Sequence, residues 1–204
     1  MKNIMRKQKA YITGLYKSGA MNNPLKALEE EHRVIEKVLK VLKHMSEDIK
    51  AGVNPPVDEL KKSLEFLRMF ADKCHHGKEE DILFPVLESR GIPRSGGPIG
   101  VMLQEHEQGR NLVKKMSQAI ESIEKDDKNS YMAFSENALY YVELLEAHIS
   151  KEDNVLYPIG RNVLNEEDAE KLLESFEKIE EERMGPGVHE KYHKIAEELS
   201  LKYR

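Results

Sequence analysis

From Pro24 onward, apolar residues return at intervals of three and four. Leu25, Leu28, His32, Ile35, Leu39 and Leu42 share one helical face that ends near Gly52. After Asn54-Pro55-Pro56, a second stripe runs through Leu60, Leu64, Leu67, Ala71, His75, Glu79 and Ile82 up to Gly91. Residues 91–97 read as a loop. Pro98 suits the first turn of a third helix carrying Met102, His106, Val113 and Ile120. Residues 126–130 break it, and a fourth stripe holds Phe134, Ala138, Tyr141, Leu145, His148, Glu152 and Val155, with the regular part ending near Gly160. Asn165 is placed to cap a fifth helix reaching Met184, and a short sixth helix follows Gly185-Pro186-Gly187. The pattern predicts an all-α chain in three parts: a basic tail or docking segment over 1–23, a four-helix bundle over 24–162 and a helical extension over 163–204.

The four stripes contain a repeat. A lone histidine preceded by glutamate opens each half, Glu31-His32 and Glu105-His106. Each half then carries His-x-x-x-Glu, as His75/Glu79 before Leu83-Phe84-Pro85 and as His148/Glu152 before Leu156-Tyr157-Pro158. His32 and His75 are 43 residues apart, and His106 and His148 are 42 apart. Internal similarity at fixed spacing selects four of the eight histidines as equivalent. Residues four apart on a helix point the same way, so each His/Glu pair aims an imidazole and a carboxylate at one place. Two antiparallel hairpins packed face to face would gather four His and two Glu in one interior. One such histidine alone is more often a hydrogen-bonded core residue, and one such pair a surface ion pair. All six buried together without a cation would cost several kcal/mol per unpaired charge. Imidazole with carboxylate suits iron, with manganese or zinc as chemical alternatives.

The segments His75-His76-Gly77-Lys78-Glu79-Glu80-Asp81-Ile82-Leu83-Phe84-Pro85, Gly97-Pro98-Ile99-Gly100-Val101-Met102-Leu103-Gln104-Glu105-His106 and His148-x-x-x-Glu152 resemble the hemerythrin and HHE cation-binding family over about residues 24–160. The resemblance implies an up-down-up-down bundle. It also implies a non-haem, oxo- or hydroxo-bridged centre of two iron ions per chain, held by His32, His75, Glu79, His106, His148 and Glu152 with the two glutamates as bridges. The family's oxygen carriers supply a second histidine four residues after the one on the third helix, and here that position is Arg110. The count leaves both metals five-coordinate unless another group enters. It favours binding and reduction of small oxidants (O2, H2O2 or NO) in an oxidative or nitrosative stress response over reversible oxygen carriage. A sensor of O2, NO or iron acting through a separate protein is the competing expectation.

Other residues read more plainly. Tyr141, seven before His148, is expected to be core or a hydrogen-bond donor near the site rather than a ligand. Cys74 and His76 read as the flanks of their helix, because each is turned about 100° from His75. His189-x-x-x-His193 reads as a solvated face. A ferritin-like centre needs Glu-x-x-His pairs on two helices, and only Glu29-x-x-His32 fits.

The charged fraction of 34%, absence of Trp and wealth of Leu, Glu and Lys agree with a helical reading. A net charge of −5 with mixed signs gives no basic face for nucleic acid. One cysteine allows no internal disulfide, and no segment has the apolar run of a signal peptide or membrane span, so a cytoplasmic protein is expected.

Overall fold

A computed structural model describes residues 23–185 and 187–203, so nearly all of the basic segment 1–23 lies outside the described residues. The described chain is helical throughout. Helix α1 (Pro24–Lys50) starts at Asn23, whose side chain accepts from the backbone N–H groups of Leu25 and Lys26. Gly52, with φ of 84°, takes the left-handed conformation that turns the chain out of it. Helix α2 spans residues 57–89 and α3 is Pro98–Ile123. Helix α4 spans 130–163 and α5 spans 166–184, and α6 is Val188–Lys202. Asn165 and Asp168 form a reciprocal capping box at the start of α5. Among the described residues, no helix is long and apolar enough to cross a membrane.

Helices α1 to α4 form the up-down-up-down bundle, with α4 packed along both α3 and α1. Helix α6 lies against α1 and α2. Three departures from regular α-helix matter for the site. Helix α2 is π-helical over Leu67–His76 and again over Glu79–Leu83, and α4 is π-helical over Glu152–Leu156. The wide turns at Glu79 and Glu152 are equivalent in the two halves. In both, an N–H reaches back five residues, from Phe84 to Glu79 and from Tyr157 to Glu152. Such turns concentrate at functional sites because they re-aim side chains at the cost of regular bonding.

The apolar interior is divided. One cluster fills the bundle from Val34, Leu64 and Val113 to Phe134 and Leu145, and draws in Tyr192, Ala196 and Leu199 of α6. A smaller cluster at the other end joins Leu25, Leu28, Phe84, Leu87, Met102 and Tyr157 to Leu172 and Phe176 of α5. Residues 32, 75–79, 106 and 148–152 fall between the two along all four helices. The polar layer is thereby sealed by a hydrophobic plug at each end.

Candidate metal centre

All six residues singled out by the repeat meet in that layer, and each is at most 1% exposed. His32, His75, Glu79 and Glu152 place one ligand atom each within 4.8 Å of one another. A second group of His76, Glu79, His106 and His148 meets the same limit. The two carboxylates lie between the groups. Glu152 Oε2 is 3.2 Å from Nε2 of both His32 and His148, while Glu79 Oε2 is 3.7 Å from His75 Nε2 and 3.5 Å from His106 Nε2.

His76 corrects the sequence reading. It is buried, and its ring stacks on His106 with centroids 3.8 Å apart, so it is no helix flank. The layer accepts two adjacent residues of α2, His75 in one ligand group and His76 in the other, and the π-helical stretch of α2 ends on this pair. Repeat matching could not find it, because the equivalent of His76 in the second half is Ile149. The adjacent histidines themselves were the available signal.

Carboxylates orient the imidazoles. Nδ1 of His32 pairs with Asp153 at 2.7 Å, that of His75 with Glu31 at 2.8 Å, that of His106 with Glu80 at 2.7 Å, and that of His148 with Glu105 at 3.0 Å. His76 Nδ1 lies 3.5 Å from Asp72. This arrangement leaves Nε2 facing the centre in the four hydrogen-bonded rings, the usual way a protein fixes a metal-binding imidazole. The repeat extends to these supports. The glutamate before each lone histidine serves the His of its hairpin partner, and the acid after each central glutamate serves the lone histidine across the bundle. Cations hold the supports in turn, Lys78 on Glu31 and Lys151 on Glu105. Arg33 holds Asp153, and Arg110 holds Glu80 and Asp72. Arg110 therefore steadies His106 from outside.

The halves differ at one more place. Tyr157, equivalent to Phe84, donates from its hydroxyl to Glu79 Oε1 at 2.6 Å and stacks on His32. Glu79 Oε2 remains free of hydrogen bonds and buried, as do both Glu152 oxygens, Nε2 of His32 and His75, and Nδ1 of His76. Burial and the facing Glu152 carboxylate push Glu79 well above the usual carboxylate range. Burial would raise Glu152 too, but His148 and His32 outweigh it and hold that group well below. Buried polar atoms without partners are costly, and a ring of them converging from four helices fits cations.

Three other expectations resolve here. Tyr141 is buried, lies outside both ligand groups and lines a cleft beside His76. Cys74 is fully buried in the apolar cluster, and burial pushes its thiol up to about 12, so it is inert. His189 is not on a solvated face. It lies 3.3 Å from Glu31 and packs on Phe70, whereas His193 is exposed. Glu31, Glu180 and His189 converge as a third acidic group, but Lys78 bonds both glutamates and occupies the place of a cation.

An uncharacterized protein of Mycobacterium tuberculosis strain H37Rv, Rv1995, is 26% identical over 158 residues, 78% of this chain and 61% of that protein. An equivalent protein of Mycobacterium bovis is equally similar. The iron-sulfur cluster repair protein YtfE of Salmonella newport is 31% identical over 86 residues, 41% of this chain and 39% of that one. The chain thus spans about three fifths of the mycobacterial relatives. Residues 23–159 match the hemerythrin HHE cation binding domain, the span that contains every residue of the buried ring, and the chain belongs to that family.

Proposed function

We propose that the protein holds a non-haem dinuclear iron centre and uses it to bind and reduce small oxidants (O2, peroxide or NO) in an oxidative or nitrosative stress response. The ring of unpartnered buried ligand atoms carries this reading. His32 and His75 would hold one iron, His76, His106 and His148 the other, and Glu79 and Glu152 would bridge them. A ferrous pair supplies electrons and an exchangeable coordination position. The chain supplies the rest. Asp153, Glu31, Glu80 and Glu105 fix the imidazoles, and Tyr157 fixes one oxygen of Glu79 so that the other faces inward.

With His76 counted, the ligands are unequal: three imidazoles on one side and two on the other. His76 would replace from α2 the group missing at Arg110, so His32 and His75 would be the side with fewer protein ligands. Ligand number alone then no longer separates an oxygen carrier from a reactive centre. The surroundings do. A carrier depends on a dry wall that keeps water and protons from the bound gas. Here the Tyr157 hydroxyl, a proton-bearing group, is held inside the layer, its ring stacked on His32 and its oxygen donating to Glu79. The likeness to a protein named for iron-sulfur cluster repair supports an iron-handling role in stress.

Stopped-flow mixing of anaerobic ferrous protein with O2, H2O2 and NO tests this. Oxidation by O2 that vacuum does not reverse is expected, and a stable, reversibly formed oxygen adduct would overturn it. One observation favours a second reading, a sensor acting through a partner. Glu180 and His189, on α5 and α6, contact the Lys78–Glu31 pair that supports His75, so a change at the centre has a route to the C-terminal helices.

A further inference from the structure

The cleft beside His76 has a chemistry of its own. It encloses about 280 Å³ between α2 and α3, with Tyr141 of α4 at its floor. Arg68, Arg110 and Lys114 stand around it against one carboxylate, Asp72. That carboxylate is already engaged, because Arg110 Nε donates to it at 2.8 Å, while the Arg110 Nη2 donates to Glu80. Arg68 and Lys114 are exposed, and neither has an ion-pair partner among the described residues. The floor is polar as well. Tyr141 is 2% exposed, and its hydroxyl has no hydrogen bond among the described residues. His76 is 3% exposed and its Nδ1 lacks a hydrogen-bond partner. Gly109 keeps the floor open, since a Cβ there would already touch the Tyr141 ring at 3.4 Å.

We propose that this cleft is a binding site for a small inorganic monoanion of nitrite size, outside the ligand ring and against the outer edge of His76. Two cations without carboxylate partners attract the charge, and the Tyr141 hydroxyl at the cleft wall donates to it. At about 280 Å³ the cleft lies at the lower edge of ligand-pocket sizes and has room for a small anion with water around it. The site goes beyond the oxidant chemistry proposed above and does not depend on it. An anion here sits one imidazole away from the second metal position, where its charge acts on that side of the centre.

The test is a titration of the full chain, loaded with diamagnetic zinc, with sodium nitrite at constant ionic strength, followed by amide NMR. The Gly109 signal should move saturably. In the R68E/K114E variant, whose substitutions are both at exposed positions, the affinity should fall by about tenfold or more. In K171E/K178E, which reverses two exposed lysines on α5, it should be unchanged. An unmoved Gly109 signal overturns the proposal, as does equal affinity in R68E/K114E or equal weakening in K171E/K178E. Zinc content is measured on the same samples. A chain that takes up no zinc counts against the dinuclear reading, and its Gly109 titration still decides the anion site.

Discussion

His76 is the residue at which the two halves of the chain part company, and it decides how the ligands divide. If it holds the second metal, H76A should reduce the metal bound from two equivalents to one, measured by mass spectrometry on desalted protein. C74A, a small change in the apolar cluster, should keep both. Loss of both metals from H76A, or of neither, would show that the histidine shapes the layer without holding an ion. E152A should empty both positions, because its carboxylate faces imidazoles of both groups. Six ligand candidates were legible because the sequence states them twice. His76 and Tyr157 were not, because a repeat reveals what the halves share and hides what distinguishes them. The supporting acids were half legible: Glu31 and Glu105 stood out before their histidines, but their bonds to the neighbouring helix depend on how the hairpins pack.

At the scale of elements, stripe and punctuation gave nearly all the helix limits. Asn23 with Pro24, Pro98, and the capping box of Asn165 mark starts, while Gly52 and Gly91 mark ends with positive φ. The π-helical turns were not legible, because a wide turn is made by packing and leaves the spacing of apolar residues nearly unchanged. Nor was the role of the C-terminal helices, whose acidic sequence looks solvated. In fact Glu180 lies on Lys78, and this breaks the symmetry of support: Lys78 is 2% exposed, while its counterpart Lys151 is 41% exposed. K78M should therefore cost about 3–5 kcal/mol by leaving Glu31 and Glu180 without their buried cation. K151M should cost less than about 1 kcal/mol. Equal losses in chemical denaturation would contradict this view of the extension. Helix α6 is tied down by Lys191 and Tyr192 on Glu65, and by Lys202 and Tyr203 on Glu59. Lys191 and Tyr192 hold Glu65 below its ordinary pKa. Burial acts upward on Glu59, but Lys202 and Tyr203 outweigh it and hold that group low as well. A carboxylate depressed in the folded state stabilises above its unfolded pKa, and that contribution is lost as pH falls through the folded value. Acid should thus free α6 early. Hydrogen exchange, corrected for intrinsic rate, should rise in 188–202 before α3, and a simultaneous rise would contradict the assignment.

For the whole molecule, the bundle is a scaffold with two apolar ends and one polar layer between them. The layer joins five imidazoles and two carboxylates from four helices, and nothing in the apolar packing requires them. Their burial makes sense when cations offset it, so metal and fold should be coupled, and removal of metal should lower the thermal midpoint. The class of fold and the place of the layer were legible from the repeat. The inequality of the two candidate ligand groups and the cleft at His76 became visible only when side chains from different helices met. The most direct measurement is the number of irons retained per chain after anaerobic ferrous reconstitution and gel filtration. The account predicts two. Saturation at one, with the His32 and His75 side or the His106 and His148 side empty, would contradict it.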